Sequence, residues 1–191
     1  MGSPVARCPP VPQTWSFVMH EFTPQLRKCP ILQGLEDPEL QSLLDIVKFE
    51  DFEQGSEILT EGLRYQSLWV LLQGESTVVK RGMHQESRLA NLTPGSVFGE
   101  MSFFDSSPHS ASVIAKTPCH TMRIMHKDYE TLRSTCPETA YKISLNVIQI
   151  LSDRLRRMDQ WTCELVEQDC NQDRHKEWHD FRAKLYTGLD L

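Results

Sequence analysis

Residues Val97 to Ala115 read VFGEMSFFDSSPHSASVIA, and this stretch decides how the rest of the chain is interpreted. Gly99 is followed directly by the carboxylate of Glu100, at the start of a short segment with helical character. A helix that begins here presents backbone N–H groups and the positive end of its dipole to an anion. Glycine has no Cβ and leaves room for a ligand, while the carboxylate suits a hydroxyl donor. The pattern predicts one half of a site for an anion that also carries hydroxyl groups.

The second half of this stretch begins with Pro108 and His109 and continues into small residues and a strand. Ser110 and Ser112 bring hydroxyl groups, and the backbone N–H groups of Ser110 and Ala111 are placed at the mouth of the predicted site. A neutral histidine offers one N–H donor and no charge. The site is therefore predicted to hold an anion with a histidine where an arginine would be expected.

The sequence around this stretch indicates many short strands between Phe49 and Met125. Apolar or alternating runs such as SLWVLLQG and STVVKRG end on glycines, and SRLANLTPG ends in a Pro-Gly turn. Regularly spaced short strands are typical of a jelly roll or barrel. We predict a mainly β fold with flanking helices (α+β), a double-stranded β-helix jelly roll followed by a long C-terminal helix.

Helical patterns flank the strands. The stretch FTPQLRKCPILQGLEDPELQSLLDIV repeats apolar residues at helical spacing, with Asp37-Pro38 as a cap and first-turn pair. HKDYETLRSTC predicts a short helix that ends before Pro137, and a long helix follows. We divide the chain into a disordered, Pro-rich segment 1–20, a β-roll domain with N-terminal helices at 21–136, a dimerisation helix at 137–169 and a short tail at 170–191.

The long helix carries an apolar stripe with a period of about 3.5 residues. Its members are Ile143, Val147, Ile150 or Leu151, Leu155, Met158, Thr162 and Leu165. Such a stripe packs either on its own domain or on a second helix in a coiled coil. The length and regularity of the stripe favour the second arrangement, and we expect a homodimer.

Bulk composition excludes several classes of protein. The chain has 191 residues, of which 39% are hydrophobic, and its net charge of -6 argues against a nucleic-acid-binding surface. It has no apolar run of transmembrane length and no signal-peptide pattern, so we expect a cytoplasmic protein without a membrane partner. The 6 cysteines show no framework spacing and are expected to be reduced.

Taken in order, these segments resemble the cyclic-nucleotide-binding domain of the catabolite activator protein superfamily. The resemblance covers roughly Leu26 to Met158 and is most specific in LTPGSVFGEMSFF and PHSASVIA; CPILQGLEDPELQSLL, EILTEG and LWVLLQGESTV add to it. It implies a pocket for cyclic AMP or cyclic GMP and no other cofactor. The ligand-binding residues that it implies are Phe98, Gly99, Glu100, Met101, His109, Ser110, Ala111 and Ser112.

His109 departs from the family pattern. In the family, a glutamate at the position of Glu100 takes the ribose 2′-hydroxyl, and an arginine at the position of His109 pairs with the cyclic phosphate. Arginine offers a permanent charge and a two-pronged fork, and its loss weakens phosphate binding by roughly a hundredfold or more. Arg88 or Arg123 on neighbouring strands are candidates to supply the missing charge.

Two functions remain open. One is a sensor in which a cyclic nucleotide acts, through the C-terminal helix, on a protein partner of unknown identity. The other is a degenerate site that binds no nucleotide, on a domain that serves protein interaction or dimerisation.

Enzymes and DNA-binding proteins fit the sequence less well. A jelly-roll metalloenzyme needs a histidine pair with a glutamate, whereas His84 stands alone beside Glu86, and no nucleophile elbow is present. We expect no catalytic residues and no metal site, and we interpret Cys163, Cys170, His175 and His179 as solvated helix residues. A helix-turn-helix does not fit into residues 171–191, so we expect no DNA contact.

Overall fold

Two antiparallel sheets of four strands form the centre of the protein. The computed structural model describes residues 26, 29–82, 86–168, 177–178 and 181. The strands are β1 (Lys48–Phe52), β2 (Glu57–Leu59), β3 (Ser67–Gln73), β4 (Ser76–Arg81), β5 (Glu86–Leu92), β6 (Val97–Phe98), β7 (Ser112–Ala115) and β8 (Cys119–Met125). One sheet has the order β1-β8-β3-β6 and the other β2-β7-β4-β5. This arrangement confirms the predicted mainly β fold with flanking helices.

The core lies between the two sheets and explains why these segments form strands. Strand β3, SLWVLLQ, is buried along its length up to its last residue, as its unbroken apolar run predicts. Trp69 on this strand stacks on Phe98 of β6, with ring centroids 6.1 Å apart. The buried cluster around this pair comprises Ile58, Leu59, Trp69, Leu71, Leu92, Phe98, Val113, Ala115 and Cys119.

A helix precedes the strands, and its start differs by one residue from the prediction. Helix α1 spans Asp37–Leu44, with Glu36 rather than Asp37 as its N-cap. The reason is a reciprocal capping box, in which the backbone N–H of Glu36 donates to the Glu39 carboxylate over 2.7 Å. The region before it, predicted as helical, contains a short 3₁₀ helix at Pro30–Leu32 and no continuous helix among its described residues.

Three more helices complete the described fold. Helix α2 (Glu100–Asp105) lies inside the motif that opened the sequence analysis, α3 spans His126–Thr135 and α4 spans Pro137–Gln168. Helices α3 and α4 confirm the predicted helices to within a residue. No helix in the described ranges is both long enough and apolar enough to cross a bilayer.

The chain groups into two compact units, 1–147 and 148–191, which divide within α4. In the first unit, Ile143 and Val147 are completely buried, so these two members of the stripe pack within their own domain and not on a second helix. On an ideal α-helix, a step of four residues turns the side chain about 40° beyond one full turn. A stripe built from such steps therefore winds around the helix and does not stay on one face. In the second unit, Ile148, Leu155 and Met158 are exposed.

The predicted segments 1–20 and 170–191 lie outside the described residues, apart from positions 177–178 and 181.

Candidate functional site

The stretch from Val97 to Ala115, called the cassette below, runs through β6, α2, a loop and β7. Gly99 is the N-cap of α2 and has a left-handed backbone, with φ of 78°. A Cβ built at this position would lie 2.6 Å from the carbonyl oxygen of Ser67 and 3.2 Å from the Trp69 ring. Glycine is therefore required here by its backbone conformation and by its close approach to β3.

The first half of the cassette brings together four of the predicted site residues in different environments. Glu100 is the first residue of α2 and is only 6% exposed. Glutamate is rarely buried to this extent unless its charge is compensated by its environment. Glu100 is therefore a candidate functional residue and not an ordinary surface carboxylate. The Met101 side chain is exposed, whereas the Phe98 ring belongs to the core beneath the helix.

The second half of the cassette is attached to residues 60–66, which we call the clamp loop. The backbone N–H of His109 donates to the Leu63 carbonyl, and the N–H of Gly62 donates to the His109 carbonyl, both over 2.9 Å. The Glu61 N–H donates to Ser112 Oγ over 2.9 Å. Ser112 Oγ in turn donates to Glu57 Oε1 over 2.6 Å. Ser112, a predicted site residue, thus links the cassette to the clamp loop and to β2.

His109 is 4% exposed, and its burial favours the neutral ring over the protonated one. Burial lowers the pKa of His109 below its usual range, and a hydrogen bond to the Tyr65 backbone, which favours the protonated ring, offsets only part of that effect. Nε2 has no hydrogen-bond partner among the described residues. The hydrogen-bond pattern therefore assigns the Tyr65 bond to Nδ1–H and leaves Nε2 as a buried acceptor.

Sequence reasoning missed two charged residues beside the second half of the cassette. Lys80 Nζ on β4 donates to the Ser110 carbonyl over 2.6 Å and pairs with Glu61 Oε1 at 2.8 Å. Glu61 Oε2 accepts the backbone N–H of Arg81 over 2.8 Å. This backbone hydrogen bond, followed by the one from Lys80, lowers the pKa of Glu61. The alternation of side chains along STVVKR is the signal that could have placed Lys80 on the same face as Val78.

Arg88 and Arg123, the two candidates for the missing charge, lie elsewhere. The Arg123 guanidinium pairs with Glu50 Oε1 at 2.6 Å and lies 5.0 Å from the centre of the Trp69 ring. Arg88 lines a cleft of about 330 Å³ together with Thr77, Val79 and Ile114. Thr77 pairs with Ile114, next to the pair formed by Val78 and the core residue Val113, so this cleft lies on the outer face of its sheet.

Aromatic contacts link α2 to the helices that follow the sheets. The Phe103 and Phe104 rings lie 5.3 Å and 6.2 Å from the Tyr129 ring on α3, measured between centroids. The Tyr129 hydroxyl donates to the Ala140 carbonyl on α4 over 3.1 Å. A continuous set of contacts thus leads from the cassette to the first turns of α4.

Within the described residues, no three histidine, cysteine or acidic side chains are grouped so that they could hold a metal ion. The interpretation of Cys170, His175 and His179 as solvated helix residues stays a prediction, because these three residues lie outside the described part of the chain.

Comparison with known proteins identifies the domain that contains this site. Residues 49–136 match the family model of the cyclic nucleotide-binding domain. The cyclic AMP receptor protein of Thermus thermophilus is 30% identical over 135 residues, which are 70% of this chain and 61% of that protein. The crystal structure of the Thermus thermophilus catabolite activator protein superposes with a TM-score of 0.64 at 29% identity, over 71% of this chain and 62% of that one.

An enzyme is also among the relatives. Glutaminase 1 of Bradyrhizobium diazoefficiens is 34% identical over 140 residues, which are 73% of this chain but 22% of the enzyme. The chain thus spans about a fifth of the glutaminase and about three fifths of the Thermus receptor protein. The matched segment and the two-sheet fold confirm the resemblance found in the sequence: residues 49–136 form a cyclic nucleotide-binding domain similar to that of the catabolite activator protein superfamily.

Proposed function

We propose that the protein is a sensor that binds cyclic AMP or cyclic GMP between Glu100 and residues 109–112. The observation that carries this proposal is the double anchoring of the cassette. Its first half packs on β3 through Gly99, and its second half is bonded to the clamp loop at His109 and Ser112. A ligand site whose walls are fixed before binding loses less entropy when the ligand arrives. The name of the Thermus relative, a cyclic AMP receptor protein, points to the same class of ligand.

Each predicted site residue has a distinct role in this proposal. Glu100 accepts a ribose hydroxyl, and the backbone N–H groups of Ser110 and Ala111 donate to the cyclic phosphate. Met101, whose side chain is exposed, covers the ligand from the side of α2. Gly99, Phe98 and Ser112 are positioning residues, because their contacts lie within the protein.

The neutral His109 makes this a site of modest affinity. A buried ring that lacks a positive charge cannot replace the fork of an arginine, and we expect a loss of roughly a hundredfold relative to a site with arginine. His109→Arg should therefore tighten binding.

Signalling in this proposal follows the contacts from α2 through Tyr129 to Ala140 at the start of α4. A nucleotide that binds one arrangement of α2 better than another shifts the balance between them. The shift reaches a protein partner through α4, so the domain acts by binding and has no catalytic residues of its own. The cysteines in the described part of the chain form no disulfide with each other, which suits a reducing, cytoplasmic setting.

Calorimetric titration with cyclic AMP and with cyclic GMP tests the sensor function. We expect measurable binding by the wild type, no binding by Glu100→Ala, and tighter binding by His109→Arg. Glu75→Ala is the matched control, because Glu75 pairs with Lys116 at the surface and has no part in the cassette. Absence of binding by both the wild type and His109→Arg would show that more than the arginine is missing.

That outcome would favour the second candidate, a protein-interaction and dimerisation module. It draws on the apolar positions of the second unit, where Ile148, Leu151, Leu155, Met158, Thr162 and Leu165 follow one another at intervals of three and four residues. Leu155 is 62% exposed, and Met158 and Leu165 are also exposed. Such a/d spacing is that of a two-stranded coiled coil, and the partner we propose is a second copy of this chain.

Light scattering tests the dimer, which both candidate functions share. The double variant Leu151→Asp/Leu155→Asp should have the mass of a monomer, whereas Gln149→Asp/Arg156→Asp, outside the a/d positions of the same helix, should remain a dimer. A monomeric wild type, or a dimeric Leu151→Asp/Leu155→Asp, would rule the coiled coil out.

A further inference from the structure

We infer that Lys80 is the cation that meets the phosphate of the bound nucleotide, in place of the arginine that this chain lacks at position 109. The inference rests on the proposed function and identifies the residue that recognises the anionic part of the ligand.

Strand geometry places Lys80 on the inner face of its sheet, which faces the core. Side chains alternate between the two faces of a strand, so Lys80 projects to the same face as Val78. Val78 pairs with Val113 of β7, and both pack in the core between the sheets. The pairing ends at Val79 and Ser112, so Lys80 directly follows the last paired residue of β4, and Ala111 directly precedes the last paired residue of β7. Lys80 therefore extends the inner face of β4 toward the residues that receive the phosphate.

The contacts of Lys80 confirm this position at the level of atoms. Its ammonium group lies 2.6 Å from the carbonyl oxygen of Ser110, the residue that directly follows His109. The side chain is 47% exposed, so it has space in which to reorient.

The other described cations near this region are less well placed. Arg81 follows Lys80 on β4, points to the opposite face and lies 3.4 Å from Glu57 Oε1. Arg123 pairs with Glu50, and Arg88 lines the cleft on the outer face. Arg64 lies on the clamp loop and is exposed, which makes it the residue that an experiment must compare with Lys80.

Glu61 is the counter-ion of Lys80 when no ligand is bound. Its Oε1 lies 2.8 Å from the ammonium group, and its Oε2 is held by the Arg81 N–H. Lys80, at 47% exposed, is the more accessible member of this ion pair, and Glu61 is 19% exposed. Solvent screens the lysine side of the pair, and a phosphate that also receives the N–H groups of Ser110 and Ala111 competes for the lysine. Binding would therefore exchange one anionic partner of Lys80 for another.

This exchange predicts opposite effects for the two members of the pair. Lys80→Met should weaken binding of cyclic AMP by roughly tenfold to a hundredfold, because a charge-assisted hydrogen bond is lost. Glu61→Gln should tighten it, because the amide still accepts the Arg81 N–H but no longer competes for the lysine. Lys116→Met is the control, since Lys116 also forms a lysine–glutamate ion pair, with Glu75 at 3.0 Å, and this variant should leave affinity unchanged.

The experiment is calorimetric titration of the whole chain with cyclic AMP and with adenosine, which has the same base and ribose but no phosphate. Lys80→Met should bind adenosine as the wild type does, and Arg64→Met should bind cyclic AMP as the wild type does. Thermal melts verify that every variant is folded.

The possible failures are distinguishable. If Lys80→Met and Glu61→Gln both weaken the binding of cyclic AMP and of adenosine to the same extent, Lys80 only stabilises the cassette. If Arg64→Met weakens cyclic AMP binding and Lys80→Met does not, the cation is Arg64. If Lys80→Met binds cyclic AMP as tightly as the wild type does, only the role of Lys80 is rejected. If the wild type binds neither cyclic AMP nor cyclic GMP, the proposed function itself is rejected.

Discussion

The two halves of the cassette are held in place by different kinds of interaction. The first half is fixed by apolar packing, because the Phe98 ring stacks on Trp69 and the Phe103 side chain is completely buried. The second half is fixed by polar contacts, in which His109 bonds to Leu63 and the Ser110 carbonyl accepts from Lys80. One half depends on the core beneath it, and the other depends on side chains and backbone from distant parts of the chain.

This difference explains how the site can vary without loss of the fold. Packing of the first half is part of the core, so a change there costs stability as well as function. The second half relies on separate hydrogen bonds, each of which contributes less to stability than a packed core side chain. A substitution such as the histidine at position 109 can therefore change ligand affinity while the cassette keeps its shape.

Among the variants that test this difference, Gly99→Ala in the first half should have the largest effect on the unfolding free energy. An added methyl group meets the Ser67 carbonyl at 2.6 Å, on a backbone with φ of 78° that disfavours alanine. Strain and overpacking together should destabilise the domain by about 2–4 kcal/mol in urea unfolding. Gly55→Ala is the control, because its φ is 86° but its Cβ would have no atom within 4 Å. Equal losses for both variants would show that close packing on β3 is unimportant.

A smaller effect is expected from Ser112→Ala in the second half. Ser112 is buried, and its hydroxyl serves both the Glu61 N–H and the Glu57 carboxylate. Removal of this hydroxyl leaves the Glu61 N–H without its acceptor, whereas Glu57 keeps its contact with Arg81. The loss should cost about 1–3 kcal/mol of unfolding free energy. Ser110→Ala retains the carbonyl that binds Lys80 and should change stability by less than about 0.5 kcal/mol. If the two serine variants were equally stable, the polar anchoring of this half would be disproved.

The smallest effect concerns the pH dependence contributed by His109. Since burial lowers its pKa in the folded protein, His109 stays neutral while the same residue in the unfolded chain takes up a proton near pH 6.5. The unfolded state then binds more protons, so stability falls as the pH drops through and below about 6.5. His109→Gln should lose less stability than the wild type between pH 7 and pH 5.5 in urea unfolding. Measurement at pH 8, where both chains carry a neutral residue, is the internal control, and identical pH profiles would contradict a buried neutral ring.

Several features of the fold were predictable because they depend on local patterns. The apolar run of β3 and the helix ending before Pro137 are read directly from neighbouring residues. The N-cap of α1 is Glu36 and not the predicted Asp37, because Glu36 and Glu39 form a capping box. The Asp37-Pro38 pair also suits a helix start, so the sequence pattern favoured the wrong residue. The apolar stripe of α4 was harder to interpret, because apolar spacing does not reveal that Ile143 and Val147 pack in the first unit.

By itself the sequence determined the β-roll, the helices around it and the identity of the cassette, because turns, alternation and helical periodicity are properties of adjacent residues. Only the tertiary structure decided which charges lie at the site. Lys80 and Ser110 are brought within hydrogen-bonding distance by the pairing of β4 with β7, and Glu61 by the clamp loop. Such contacts depend on strand register and on desolvation, which join residues that are separated along the chain. For the same reason the burial that keeps His109 neutral became visible only in the folded protein.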